Sequence, residues 1–243
     1  IGPDLIKDDS DGNPEFIEDP QLFSAWKKQA ESEGINLKIG RWNINRYPIA
    51  ISLNFSNYFQ EKDRIFFELW EKYKLDSLPG QWDYVEPALF GWAAGRAIES
   101  FVKFNLNTYD HIIAQFHEWM AGTGILYLKD RLPQVGTVFT THATAVGRAL
   151  AGNNLPLYKN LRNYNGEEIA REFNLISKQS AEKLSAQHAD AFTTVSEITS
   201  EECSQFLQKD VTLVTPNGFE DSFVPTGSEY ESMRNEGRQK LLS

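Results

Sequence analysis

Two histidines stand in settings that suit ligand chemistry: His117 in Gln115-Phe116-His117-Glu118-Trp119-Met120-Ala121-Gly122, and His142 in Thr140-Thr141-His142-Ala143-Thr144. Near neutral pH an imidazole can donate to or accept from a sugar hydroxyl or a phosphate oxygen. The N–H groups that open a following helix add a field favourable to anions. Each histidine follows a short apolar run and precedes a helix-permissive stretch, which puts both at the carboxyl ends of strands. That is the edge where open α/β sheets bind ligands. The same pattern fits a packed histidine that only fixes a strand-to-helix turn, so it leaves both roles open.

Other candidates carry weaker signals. Glu118 reads first as a helix-end stabiliser and second as a general base. Arg148 is a candidate phosphate or cleft contact, with plain solvent exposure as the alternative. Small residues at Ala143, Ala145 and Gly147, with the Thr141 and Thr144 hydroxyls, would let a ligand approach His142. Ser196 has the place of an N-cap, and no Gly-x-Ser-x-Gly elbow surrounds it. Cys203 reads as a packed helical residue, and Asn217-Gly218 as a turn first and a hinge second. The chain has no Gly-x-Gly-x-x-Gly, no Walker loop and no metal-ligand spacing. Neither a cofactor nor a metal is expected.

The elements that must hold these residues follow from periodicity. Residues 111–116, 135–140, 191–195 and 211–215 are short and rich in β-branched or aromatic residues, and read as strands. Helical stretches over 119–131 and 197–208 separate them, with Pro216-Asn217-Gly218 as a closing turn. Alternation of this kind implies βαβ crossovers and a Rossmann-like parallel sheet with flanking helices, an α/β fold. Upstream, 20–34 reads as an amphipathic helix, while 37–42 and 48–53 read as a hairpin or edge pair of strands. A helix over 63–73 should turn Phe66, Phe67 and Trp70 to one face, and 86–104 should form a stronger helix. There Gly91 and Gly95, one turn apart, permit close packing. Residues 167–188 read as one long helix with Ile169, Phe173, Ile176 and Leu184 near one stripe. Trp42, Tyr47 and Trp82 are expected mostly in the core.

At 243 residues and 41% hydrophobic content the chain can bury a large core. Its net charge of −10 comes without a basic stripe, which argues against nucleic acid or an anionic membrane as partner. One cysteine precludes an internal disulfide. With no apolar run of about 18 residues and no signal-like segment, a cytoplasmic protein is the expectation. Ile1-Gly2-Pro3 reads as the exit from an upstream strand, and residues 221–243, polar and helix-permissive, as a linker.

In order and spacing, the blocks around His117, Phe139 to Arg148, Ala189 to Thr199 and Thr215-Pro216-Asn217-Gly218 resemble the eukaryotic-type glycogen synthases. Gly40-Arg41-Trp42 and Leu89-Phe90-Gly91-Trp92 are similar to the same family. The resemblance implies the N-terminal, acceptor-side lobe of a GT-B glycosyltransferase over residues 1–220, short of the first strand and the glycine-rich turn. It implies glucose transfer from a nucleotide-glucose, UDP-glucose before ADP-glucose, to an α-1,4-glucan with retention and without metal. A sugar-binding, catalytic role falls on His117, and cleft-lining, substrate-binding roles on Thr141 and His142. Asn217 and Gly218 correspond to the hinge toward a second lobe that would supply the nucleotide pocket. On this reading the segment alone is inactive, and the complete enzyme leaves a homo-oligomer open. A starch-synthase-like enzyme and a non-catalytic carbohydrate-binding lobe remain as alternatives.

Overall fold

The computed structural model describes residues 16–107, 110–218, 227 and 229–242. The chain builds two sheets. Strands β1 (Phe16–Glu18), β2 (Asn36–Trp42) and β3 (Ile49–Asn54) form an antiparallel sheet in that order. Alternation along β2 buries Leu37 and Ile39, which pack with Trp26 and Ala30 of α1 (Ser24–Ser32) and with Ala97 of α3 (Trp82–Asn105). Trp26 satisfies its indole N–H on Ser100 Oγ at 3.1 Å. The hairpin expected around residues 43–47 is therefore present, as the link between β2 and β3.

The second sheet holds β4 (Ile113–His117), β5 (Gly136–Thr141), β6 (Ala191–Thr194) and β7 (Leu213–Val214), all parallel and in sequence order. Helix α4 (Glu118–Arg131) links β4 to β5. Helices α5 (Ala145–Gly152), α6 (Gly166–Glu172) and α7 (Ile176–His188) lie between β5 and β6, and α8 (Glu197–Leu207) joins β6 to β7. This is the expected α/β arrangement, a Rossmann-like parallel sheet with flanking helices. His117 is the last residue of β4, and His142 follows the last residue of β5. Phe139 and Phe192, both fully buried, stack between neighbouring strands with ring centroids 5.6 Å apart.

Helices α3 and α4 meet where glycine spacing anticipates it. A Cβ on Gly91 would lie 2.3 Å from Thr123 Oγ1, and one on Gly95 would lie 3.0 Å from Tyr127. Gly124 returns the contact, its missing Cβ leaving space for the Phe116 ring and for Gly91 O. The backbones can approach closely only because these positions lack side chains.

Two expectations are corrected. The long helix over 167–188 breaks into α6 and α7. Asn174 sits at φ 57°, its N–H reaching Arg171 O and that of Leu175 reaching Ala170 O, the pairing that closes a helix through a left-handed residue. Helix α2 (Lys62–Tyr73) carries the expected aromatic face, Phe66, Phe67 and Trp70 lining one cavity, while Ile65 and Leu69 are its buried residues; Phe67 is 61% exposed and Trp70 43%. Of the three aromatics expected mostly in the core, Trp82 and Tyr47 are exposed and Trp42 is half-buried. Within the stretch read as a linker, Glu229–Leu242 forms helix α9. Residues 1–15, on which the upstream strand exit rests, lie outside the described residues.

Candidate functional site

The parallel register sets His117 opposite Thr140, and the turn after Thr141 brings His142 across to it. His117 Nδ1 and His142 Nε2 are 3.2 Å apart, and the rings lie 5.5 Å apart at 27°. One nitrogen must donate and the other accept, so the two tautomers are coupled. Burial lowers the pKa of His117, and the neighbouring His142 lowers it further, which favours a neutral ring near pH 7. His117 is exposed and His142 half-buried, so the pair is open to a ligand at the strand edge.

Glu118 locks this corner. It adopts φ 65°, a region that disfavours side chains other than Asn, Asp or Gly. Its Oε1 accepts the His142 N–H at 3.0 Å and Arg148 Nη2 at 3.1 Å. The carboxylate therefore ties α4 to the His142 turn and does not cap its own helix, as the sequence pattern suggested it would. No side chain caps the N-terminus of α4, which begins directly after His117. Strain of this sort tends to persist where the surroundings over-determine a functional geometry. Arg148 stands at the pair's border with its guanidinium mostly exposed, so a phosphate would compete with Glu118 for it.

Beneath the turn lies a layer that sequence reasoning missed. Glu182 of α7, fully buried, accepts the Thr141 hydroxyl at 2.8 Å and the Ala145 N–H at 2.9 Å. Glu202 of α8, 1% exposed, accepts the Thr144 N–H and hydroxyl at 2.9 and 2.6 Å, and the Tyr158 hydroxyl at 3.2 Å. Thr144 Oγ1 in turn caps α5 by accepting the Gly147 N–H. A Cβ on Gly147 would come within 2.1 Å of Glu202. These carboxyl groups occupy N–H donors at the start of α5, so that helix does not offer them to an anion as the sequence suggested. The Thr141 and Thr144 side chains are buried under the turn and hold His142 up. The signal was present but weak: Glu182 lies among the small residues Ala181, Ser185 and Ala186, and Glu202 shares a helical stripe with Thr199 and Phe206.

On the strands themselves a polar ladder runs beside His117. Gln115 Nε2 donates to Thr140 Oγ1 at 2.9 Å, and Thr140 and Thr193 hydroxyls are 2.8 Å apart. Alternation along β4 puts Gln115 and His117 on one face. Ser196 does cap α8, accepting the Thr199 N–H at 3.2 Å. Cys203 is buried, and burial raises its thiol pKa. Asn217 and Gly218 are exposed and belong to no helix or strand. Among the described residues no cluster of three His, Cys, Asp or Glu could hold a metal, and no helix is long and apolar enough to cross a membrane. An apolar cavity of about 460 Å³ lined by Phe66, Phe67, Trp70 and Leu78 contains none of the residues singled out for chemistry.

Comparison with known proteins gives the family of the chain. A family model described as glycogen synthase matches residues 14–241. The chain is 32% identical over 202 residues to the liver glycogen [starch] synthase of Rattus norvegicus, covering 82% of this chain and 28% of that protein. It is 28% identical over 221 residues to glycogen [starch] synthase of Caenorhabditis elegans (91% and 33%). With that of Dictyostelium discoideum it shares 31% over 192 residues (79% and 21%). The chain thus spans a third or less of the length of these relatives.

Proposed function

The chain belongs to the glycogen synthase family, and from that premise we propose that it forms the acceptor-side lobe of a retaining glucosyltransferase that extends an α-1,4-glucan from a nucleotide-glucose. The observation that carries this reading is the His117–His142 pair at the carboxyl edge of the parallel sheet. When His142 donates to His117 Nδ1, the proton of His117 rests on Nε2, where it can donate to a hydroxyl of the transferred glucose. A neutral imidazole suits that task, because it binds a sugar oxygen without adding a cation where positive charge develops on the sugar.

Around this contact the described residues hold and orient. Glu118 fixes the backbone of His142, and the uncapped N-terminus of α4 faces oxygen-rich ligands favourably. The departing diphosphate needs cationic partners, and Arg148 could serve as one only by leaving Glu118. The family resemblance assigns that stabilisation to a second lobe joined through Asn217-Gly218, so these 243 residues alone are expected to transfer no glucose. Neither metal nor cofactor enters the proposed reaction, and UDP-glucose is the proposed donor.

The test is glucose transfer to glycogen by the chain in its native flanking sequence, with UDP-glucose and ADP-glucose offered separately. His117→Ala should lower kcat/KM by about 100-fold while the fold persists. Near-normal transfer by a folded variant would remove His117 from the chemistry, and preference for ADP-glucose would replace the donor.

A further inference from the structure

The turn that presents His142 hangs between two threonines, each clamped from below by a buried carboxyl group. The clamps are not equivalent. Glu202 receives three donors, the N–H and hydroxyl of Thr144 and the hydroxyl of Tyr158. Glu182 receives one backbone N–H, from Ala145, and otherwise meets a hydroxyl whose hydrogen can point either way. That hydroxyl, Thr141 Oγ1, also lies 3.4 Å from Ala143 O, the carbonyl next to His142.

We propose that Glu182 works as a neutral acid and is a positioning residue for the histidine pair, its proton setting the direction of a hydrogen-bond chain from Glu182 through Thr141 to Ala143. With the proton in place, Glu182 Oε1 donates to Thr141 Oγ1, Thr141 donates to Ala143 O, and Glu182 Oε2 still accepts the Ala145 N–H. Both sides of the turn are then pinned. Without it, the Thr141 hydrogen is drawn to the carboxylate and Ala143 O keeps only the 3.4 Å bond from Arg148 Nε.

The surroundings favour the protonated form. The charged or titratable groups facing Glu182 are Glu118 of α4, and Glu202 and Cys203 of α8. Arg148 of α5 is already paired with Glu118. Burial, with smaller contributions from Glu118 and Glu202, pushes the Glu182 carboxyl up to about 8 against the opposing hydrogen bonds from Ala145 and Thr141. The functional part of the proposal rests on the sugar-binding role given to His117.

Glutamine separates the two forms, because its amide can donate to Thr141 and accept from Ala145 but cannot ionise. In the chain with its native flanking sequence, Glu182→Gln should keep kcat/KM within about threefold of wild type at neutral pH, whereas Glu182→Leu should lose about tenfold or more. Wild-type transfer should decline as pH rises through about 8, and the Glu182→Gln profile should lack that limb.

Melting temperature gives a readout independent of activity. A carboxyl whose pKa is higher in the folded than in the unfolded chain stabilises most below its unfolded value, and this stability is lost as pH rises through the folded one. The wild-type Tm should therefore fall relative to that of Glu182→Gln between about pH 5 and about pH 8, and the difference should level off above. Glu182→Gln as impaired as Glu182→Leu would mean that a carboxylate is required, and parallel Tm profiles would mean that Glu182 is not protonated; either overturns the proposal. Should Glu182→Leu fail to fold, the glutamine variant against wild type decides. Absence of transfer by wild type at every pH would count against the glucosyltransferase reading, while the Tm difference would still decide the state of Glu182.

Discussion

The two sheets handle polarity in opposite ways. In the antiparallel sheet none of the described buried polar residues lies on a strand; Leu37 and Ile39 pack on α1, and Ile17, Ile49 and Ile51 stay exposed at the fringe. In the parallel sheet Thr137, Thr140, Thr141, Thr193 and Thr194 are all buried, with Glu182 and Glu202 under the adjoining turn. Each of these side chains has a partner: Thr137 meets Asp190, Thr194 reaches Thr141 O, and the others join the chains described above. Buried polar groups cost more than apolar packing unless fully satisfied, but a satisfied network fixes one geometry. The antiparallel sheet is thus built for burial. The edge of the parallel sheet uses desolvated hydrogen bonds to hold two imidazoles within reach of each other.

Substitutions can break or sharpen this contrast, beginning with the largest effect. Phe139→Ala empties the stacked centre of the parallel sheet and should destabilise by about 3–5 kcal/mol in urea unfolding. A loss below about 1 kcal/mol would show that the ring is not a core anchor. Thr144→Val keeps the shape but removes both the hydroxyl bond to Glu202 and the cap on Gly147. It should lose about 1–3 kcal/mol, and an unchanged midpoint would mean the carboxyl layer is not holding the turn. Ile49→Thr, at the exposed fringe of the antiparallel sheet, should stay within about 0.5 kcal/mol by the same measurement. A larger loss there would show that this fringe is buried in solution and that the contrast between the sheets is overdrawn.

Much of the fold was legible because the signals are local. Runs such as Val138-Phe139-Thr140 favour extended backbone through their side-chain shape, and Gly91 with Gly95 marks a close helix contact whatever the partner. Both histidines could be placed at strand ends on the same grounds. Less legible were features resting on a single residue's conformation: Asn174 in the left-handed region splits what periodicity reads as one helix. The exposure of Phe67, Trp70, Tyr47 and Trp82 was also out of reach, since aromatic content says what can be buried and not what is covered.

The amino-acid pattern alone settles the alternation of the four parallel strands with helices, and puts His117 and His142 at the edge they share, since 3.6- and 2-residue periods are written along the chain; it misses the short strand β1 and reads α6 and α7 as one helix. It does not settle which polar group answers which. That His117 meets His142, that Glu118 leaves its own helix for the next turn, and that Glu182 and Glu202 clamp Thr141 and Thr144 all depend on strand register and on how α7 and α8 seat under that edge. A buried carboxyl and an exposed one look alike in sequence, because desolvation and partner geometry exist only once distant segments are packed together.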